Sequence, residues 1–193
     1  MILSTAYFPP IEYFAMLAKY SVFYLESCEN YVKQSYRNRC RILTANGPMD
    51  LRVPIIHNGA RLITEIEVDY VTPWLRQSEY AIESAYYNSP FFEYYKDELF
   101  AVLDKHPQTL WELNLNIISF FCRKIGIATE LRLTSNYVVS AEQDYRNTIH
   151  PKVRSNYIAK PYWQVFRGKF GFVPNLSIMD LLFNEGPESI CYL

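Results

Sequence analysis

Glycine is scarce in this chain, with six among 193 residues. Loops that cradle phosphate need glycine to bring backbone N–H groups close to a ligand. Neither GxGxxG nor GxxxxGK followed by Ser or Thr occurs, which excludes the usual dinucleotide-binding and P-loop sites. The GxSxG nucleophile elbow and the HExxH zinc motif are also missing. Cysteine appears four times, as Cys28, Cys40, Cys122 and Cys191, with no CxxC and no metal-ligand spacing. That pattern favours free thiols in a reducing compartment over a disulfide framework, so a cytoplasmic protein with no metal site is expected. The longest apolar stretch, Ile117 to Cys122, falls far short of the ~20 residues that span a bilayer. The opening MILSTAYFPP is apolar, but it lacks a basic region and reaches Pro9-Pro10 too early for a signal peptide. Charge of one sign is not in excess: 19 Lys and Arg face 20 Asp and Glu, for a net charge of −1. No global field would recruit nucleic acid, although a local basic site stays open.

What the chain has in quantity is aromatic side chains, 17 Tyr, 12 Phe and 3 Trp. Tyrosine buries a large ring while keeping a polar tip, which suits a deep site or an interface as well as ordinary packing. A chain of this length buries roughly 70% of its unfolded surface and can hold a core without staples, so one domain over 1–193 is expected.

Met1–Thr5 reads as a short buried strand, Ile11–Lys19 as a helix and Val22–Leu25 as a second strand, an α/β opening. Arg39–Leu43 and Met49–Pro54 flank Asn46-Gly47, a hairpin signal. Leu62–Tyr70 alternates as a half-buried strand would. Helices follow over Trp74–Tyr87, from Ser89-Pro90 to about Lys105, and over Thr109–Ile125, where Gly126 stops the last. Glu130–Thr134 is a strand candidate, and Ile178–Phe183 a short helix with Ser177 as N-cap. The expected fold is α/β: a mixed sheet of N-terminal strands covered by helices over about 1–135, and an irregular, proline-punctuated segment over about 136–193.

Three polar clusters stand out. Ser4, Thr5 and Tyr7 follow the first strand, where open α/β sheets bind ligands; a turn stiffened by Pro9-Pro10 explains them equally well. Lys33–Arg41 carries Arg37, Asn38, Arg39 and Arg41. On a strand the three arginines would form a comb opposed to Asn38, offering forked donors to phosphate or carboxylate. The third, Asp144–Lys152, holds Arg146 and Lys152 as anion binders and His150 as an acid or base. An Asp144–Arg146 ion pair that ties the loop is the alternative there. His57 follows a strand and is either a turn residue or a catalytic base.

Taken in order, these segments resemble the WbqC-like family of bacterial proteins over nearly the whole chain. The resemblance is carried by Tyr7-Phe8-Pro9 with Glu12-Tyr13-Phe14-Ala15, by Tyr31–Arg41 with Asn38-Arg39, and by Leu51-Arg52-Val53-Pro54. Trp74, Tyr86–Pro90, Tyr145-Arg146 and Ile149–Lys152 continue it. Family members commonly have a Gln-Pro-Asn-type run where this chain has Ser4, Thr5 and Ala6. The resemblance implies surface-polysaccharide (O-antigen) biosynthesis. In that reading an acyl or aminoacyl group moves to an amino-sugar of a nucleotide-linked precursor. Arg37 or Arg39 would hold a diphosphate or carboxylate, Asn38 and Tyr7 would orient the acceptor, and His57 or His150 would take the proton. A small-molecule substrate is therefore the expected partner, with self-association open and no cofactor indicated. The alternative is a non-catalytic protein that binds a glycan or another protein through its tyrosines.

Overall fold

Two consecutive prolines shape the start of the fold. In the computed structural model, which describes residues 1–193, strand β1 (Ile2–Leu3) enters a turn that Pro9-Pro10 closes ahead of helix α1 (Ile11–Lys19). The fixed φ of proline suits a helix entry, and its missing N–H is no loss there. α1 buries Ile11, Phe14, Ala15 and Leu17, with Glu12 in its first turn and Lys19 in its last, matching the helix dipole. Strand β2 (Val22–Leu25) then lies parallel to β1, pairing Ile2 with Tyr24 and Leu3 with Leu25.

Strands β3 (Arg39–Thr44) and β4 (Gly47–Arg52) form an antiparallel hairpin in a sheet of their own. Its turn is centred on Ala45-Asn46 rather than on the expected Asn46-Gly47. Thr44 Oγ1 accepts from the Asn46 N–H and donates to the Gly47 carbonyl, which pulls the turn back by one residue. Gly47, at φ +109, becomes the first residue of β4. The displaced turn moves every cross-strand partner by two and sets Arg39 directly opposite Arg52.

The strand expected over Leu62–Tyr70 does not form. Ile63–Glu65 is a 3-10 turn, and the flanking residues make isolated bridges to three different segments: Asn30–Leu62, Ile55–Val68 and Glu67–Thr109. The buried positions are Ile63, Ile66 and Val68, which do not keep a period of two. With no single partner strand, the alternation seen in the sequence has no sheet to serve.

Helices α2 (Trp74–Tyr86), α3 (Phe92–Leu103) and α4 (Leu110–Ile125) follow. α4 is nearly enclosed, burying Leu113, Ile117, Ile118, Phe120 and Phe121 among others. Thr109 caps its start by accepting from the Glu112 N–H, and Gly126 ends it in the left-handed conformation. Strand β5 (Glu130–Leu133) joins β2 in parallel, completing a sheet in the order β1-β2-β5. Beyond it, residues 136–166 form no helix or strand. Their backbone nevertheless reaches the free side of β1, where the Ile2 N–H donates to Gln143 and the Tyr145 N–H to Ile2.

A short helix α5 (Arg167–Phe170) leads to α6 (Ile178–Glu185) and a closing 3-10 stretch, Gly186–Tyr192. The irregular segment is no appendage, because seven of the eight residues of α6, Ile178 to Asn184, are buried. Fully burying each of its large apolar side chains is worth ~1.5–3 kcal/mol. Residues 176–178 run between the opening turn and β3. The Ile11 N–H donates to Leu176, the Ile178 N–H to Pro9 and the Ser177 N–H to Arg41. The fold is mixed α/β, and no helix is long and apolar enough to cross a membrane.

Two predictions come from the way α6 is held. Gly186 has φ +54, and a Cβ there would lie 2.6 Å from a ring carbon of Phe91. Gly186→Ala should therefore lose ~2–4 kcal/mol of stability in denaturant titrations, from overpacking plus backbone strain. Asp180, buried on α6, accepts from the Tyr162 hydroxyl at 2.5 Å and from Gln164 Nε2 at 2.8 Å. Burial still pushes its carboxyl up to about 6. The folded chain thus keeps a proton that the unfolded chain releases near pH ~4. That contribution is complete below this value and is lost as pH rises through about 6. Denaturant midpoints of wild type and Asp180→Asn measured from acid to neutral pH should show the balance moving towards the variant as pH rises.

Candidate functional site

Beyond the carboxyl ends of β1 and β2 the chain places carboxylates and guanidiniums, and it closes the space around them. Glu26, fully buried one residue past β2, accepts from Thr134 Oγ1 at 2.6 Å, the Val138 N–H at 2.9 Å, Arg146 Nη1 at 3.0 Å and the Cys28 N–H at 3.1 Å. Arg146 also grips Asp144 through Nε at 2.9 Å and Nη2 at 2.5 Å, and this contact holds the Asp144 carboxyl below its ordinary value. Nearby, Arg37 donates to Glu29 through Nε at 2.9 Å and Nη2 at 2.6 Å, and through Nη2 to Ser4 Oγ at 2.7 Å. Ser4 in turn donates to Glu29 at 2.9 Å. The space left between Arg37 and Arg146 amounts to 10 Å³, room for about one water. Thr5 is also buried here, its hydroxyl without a partner.

Residues singled out in the sequence therefore separate into two groups. Arg37 and Arg146 are 4% and 5% exposed, with their forks turned onto internal carboxylates. Tyr7 is fully enclosed, edge-on to Phe8 and to Trp74 with ring centroids 4.6 and 6.3 Å away. Its hydroxyl has no hydrogen-bond partner, and burial drives its ionisation far above the ordinary tyrosine range. His150 is half-buried and accepts from the Lys152 N–H at 3.2 Å. Burial first, then Arg37, Lys152 and Arg39, lower its pKa and favour the neutral imidazole. Lys152 is exposed. Neither it nor His150 lines the groove described next.

Asn38, Arg39 and His57 do meet. They line a groove of about 560 Å³ whose wall also carries Lys33, Arg52, Trp74 and Gln77. The comb of arginines does not exist, because β3 begins only at Arg39. Arg37 lies in the preceding turn and points inward, Arg41 pairs with Asp50 at 2.8 Å, and Asn38 shares a groove with Arg39 instead of opposing it. A second hollow of about 510 Å³ adjoins the first and shares Tyr31, Lys33, Ile55 and His57 with it, adding Arg61 and Ile66.

The electrostatics of this groove are one-sided. Lys33, Arg39, Arg52 and Arg61 line the two hollows, and no Asp or Glu does. Arg39 and Arg52 face each other across the hairpin, a like-charge placement that destabilises by ~0.2–1 kcal/mol when nothing lies between. Three buried polar atoms at the wall lack partners: Arg39 Nε and Trp74 Nε1, both donors, and Asn38 Oδ1, an acceptor. Asn38 Nδ2 is fixed by the Val53 carbonyl at 2.9 Å. At the rim, Gln34 holds φ +59, a strained value for a residue with a side chain. A wall with cations and no carboxylate fits a ligand that carries negative charge.

Arg52, Arg61 and Trp74 were not singled out as site residues in the sequence. The signal for Arg52 was the hairpin register, which the Thr44–Asn46 hydrogen bond displaces. Arg61 lies one residue before the expected strand Leu62–Tyr70, and nothing local marks it.

The sequence pattern of the WbqC-like protein family matches residues 5–159. An uncharacterised protein of Mycobacterium tuberculosis is 27% identical over 222 aligned positions, covering 100% of this chain and 96% of the relative. No solved structure matches the chain.

Removing arginines should separate the two groups. Arg146→Ala leaves buried Glu26 without its cation, and Arg37→Ala does the same to Glu29, so each should cost ~3–5 kcal/mol. Arg39→Ala, which breaks no ion pair, should stay within ~1 kcal/mol of wild type in the same urea titrations.

Proposed function

This chain belongs to the WbqC-like protein family, and from that premise we propose that its basic groove binds the phosphate-bearing part of a nucleotide-linked sugar and carries out transfer to it. The observation that carries this reading is four cationic side chains around two adjoining hollows with no carboxylate among them, on a chain whose net charge is −1. Guanidinium forks match phosphate oxygens, and Arg39 and Arg52 stand opposite each other as a clamp for a diphosphate would. Asn38 and Trp74 line the same wall, placing an amide and an indole ring beside the cations for the sugar or base.

The reaction proposed is acyl or aminoacyl transfer to the amine of an amino-sugar, within surface-polysaccharide (O-antigen) biosynthesis. His57, exposed on the groove wall, serves as general base for the amine proton. Tyr7 acts through Trp74, whose ring it supports from behind, and Arg37 acts by fixing the turn that leads to Asn38-Arg39.

A second reading is favoured by a different surface. Tyr80, Tyr87 and Tyr94, on or beside α2 and α3, are 74%, 69% and 76% exposed, as a contact face for a glycan or a second protein would be. It predicts association or glycan binding that Arg39→Ala leaves untouched.

A thermal-shift screen of nucleotide-sugars, amino-sugars, glycine and acyl donors tests the proposal. A ligand at 100 times its dissociation constant adds ~2.7 kcal/mol of stability. Nucleotide-sugars should shift wild type, and Arg39→Ala should bind them ~10- to 100-fold more weakly, the loss of one charge-assisted contact. No shift with any nucleotide-sugar, or an equal shift in the variant, would overturn it.

A further inference from the structure

Parallel sheets are almost always covered on both faces. The sheet β1-β2-β5 is parallel throughout. Side chains alternate along a strand, so Leu3, Phe23 and Leu25 turn into the core and are buried. Ile2 and Tyr24, paired across the strands, turn to the opposite face, where Tyr24 stays 38% exposed. The loop after β5 comes over that face, and between the two lies a hollow of about 510 Å³. Its wall is mostly apolar, from Ile2, Tyr24, Leu133, Tyr137 and Val138 among others, and it carries no charged side chain.

The loop that walls this hollow is pinned at both ends by one buried carboxylate. Glu26 accepts from Thr134 Oγ1 at 2.6 Å and from the Val138 N–H at 2.9 Å. The Thr134 N–H donates to the Leu25 carbonyl at 3.1 Å, and the Thr134 carbonyl accepts from Ser27 Oγ at 2.7 Å. Between these anchors the Arg146 guanidinium stands over the Tyr137 ring, 5.1 Å from its centroid, and the ring is still 55% exposed. The hollow is therefore preformed, and a ligand entering it meets little ordering cost.

We propose that this hollow is a second ligand site, separate from the basic groove, and that it takes a small uncharged aromatic compound with a hydrogen-bonding group at one end. It shares no residue with the two basic hollows. A charged ligand would be desolvated against Ile2, Leu133 and Val138 with no opposite side-chain charge to compensate it. Tyr24 and Tyr137 offer rings on which a flat ligand packs offset or edge-on. Ser135 and Asn136, exposed and without a side-chain partner in the chain, supply a hydroxyl and an amide for its polar end. The volume lies within the ~300–1,000 Å³ of pockets that hold one small ligand. The position, past the carboxyl end of β5, is where open parallel sheets bind ligands.

The test titrates the whole chain with indole-3-acetamide, indole-3-acetate and tryptamine, followed by protein-observed NMR. These share one ring and end in an uncharged, an anionic and a cationic group. The acetamide should bind and shift the resonances of residues 133–138, and both charged analogues should bind at least about tenfold more weakly. Cyclohexylacetamide, which keeps the amide and loses the flat ring, should also be weaker. Tyr24→Ala should lose at least about tenfold in affinity for the acetamide and Asn136→Ala a smaller factor, while Arg39→Ala should bind as wild type does. Should Tyr24→Ala melt below wild type, Asn136→Ala, at an exposed residue without a partner, decides. No binding of the acetamide, equal binding of a charged analogue, or indifference to Asn136→Ala would each overturn the inference. Sedimentation velocity adds one more such outcome: self-association that Tyr24→Ala abolishes would put a second copy of the chain on this face in place of a ligand.

Discussion

Two buried guanidinium–carboxylate clusters organise this molecule. Glu29 with Arg37 and Ser4, and Glu26 with Arg146 and Asp144, sit beyond the carboxyl ends of the first two strands. They tie the turn before the hairpin, the strand ends and the loop after β5 into one unit. A charge taken out of water is costly unless it is paired and hydrogen-bonded, and here Glu26 alone accepts from four donors. Because these carboxylates are turned inward onto Arg37 and Arg146, none is left for Arg39, two residues along the chain. The basic groove follows from how the acidic groups are used.

This arrangement moves the site away from where an α/β sheet usually offers one. The crevice beyond β1 and β2 is closed down to 10 Å³, with Ser4 and Thr5 packed into it, and the hollow of about 510 Å³ that remains beside β5, lined by Ile2, Tyr24 and Leu133 to Val138, carries no charged side chain. The open, unpaired chemistry is displaced sideways to the hairpin, where Arg39 and Arg52 oppose each other. Ser4 is a bridging member of the Arg37–Glu29 pair and so belongs to the scaffold under the groove rather than to the groove wall.

Much of the fold was legible in the sequence because its signals are local. Pro9-Pro10, the periodicity of Ile11–Lys19, Thr109 and Gly126 around α4, and Ser177 before α6 each mark a boundary within a few residues of themselves. What was not legible depends on partners distant in the chain. Leu62–Tyr70 alternates like a strand, but its pairings go to three separate segments. Arg37 and Arg39 look alike in the sequence, and only the position of Glu29 makes one structural and leaves the other free. Arg52 joins the groove through a register that one threonine hydroxyl sets. The Asp144–Arg146 ion pair, by contrast, was legible as the alternative account of its loop, and the structure contains it.

The central claim is that Arg39 and Arg52 are opposed cations awaiting an anion between them. The most direct test compares thermal stability in pyrophosphate and in sodium chloride at equal ionic strength, for wild type and Arg52→Gln. The account predicts that the variant is more stable than wild type in chloride by ~0.2–1 kcal/mol, the relief of a like-charge cross-strand pair. It also predicts that pyrophosphate stabilises wild type well beyond chloride and the variant much less. A variant no more stable in chloride, with the same response to pyrophosphate as wild type, would contradict it.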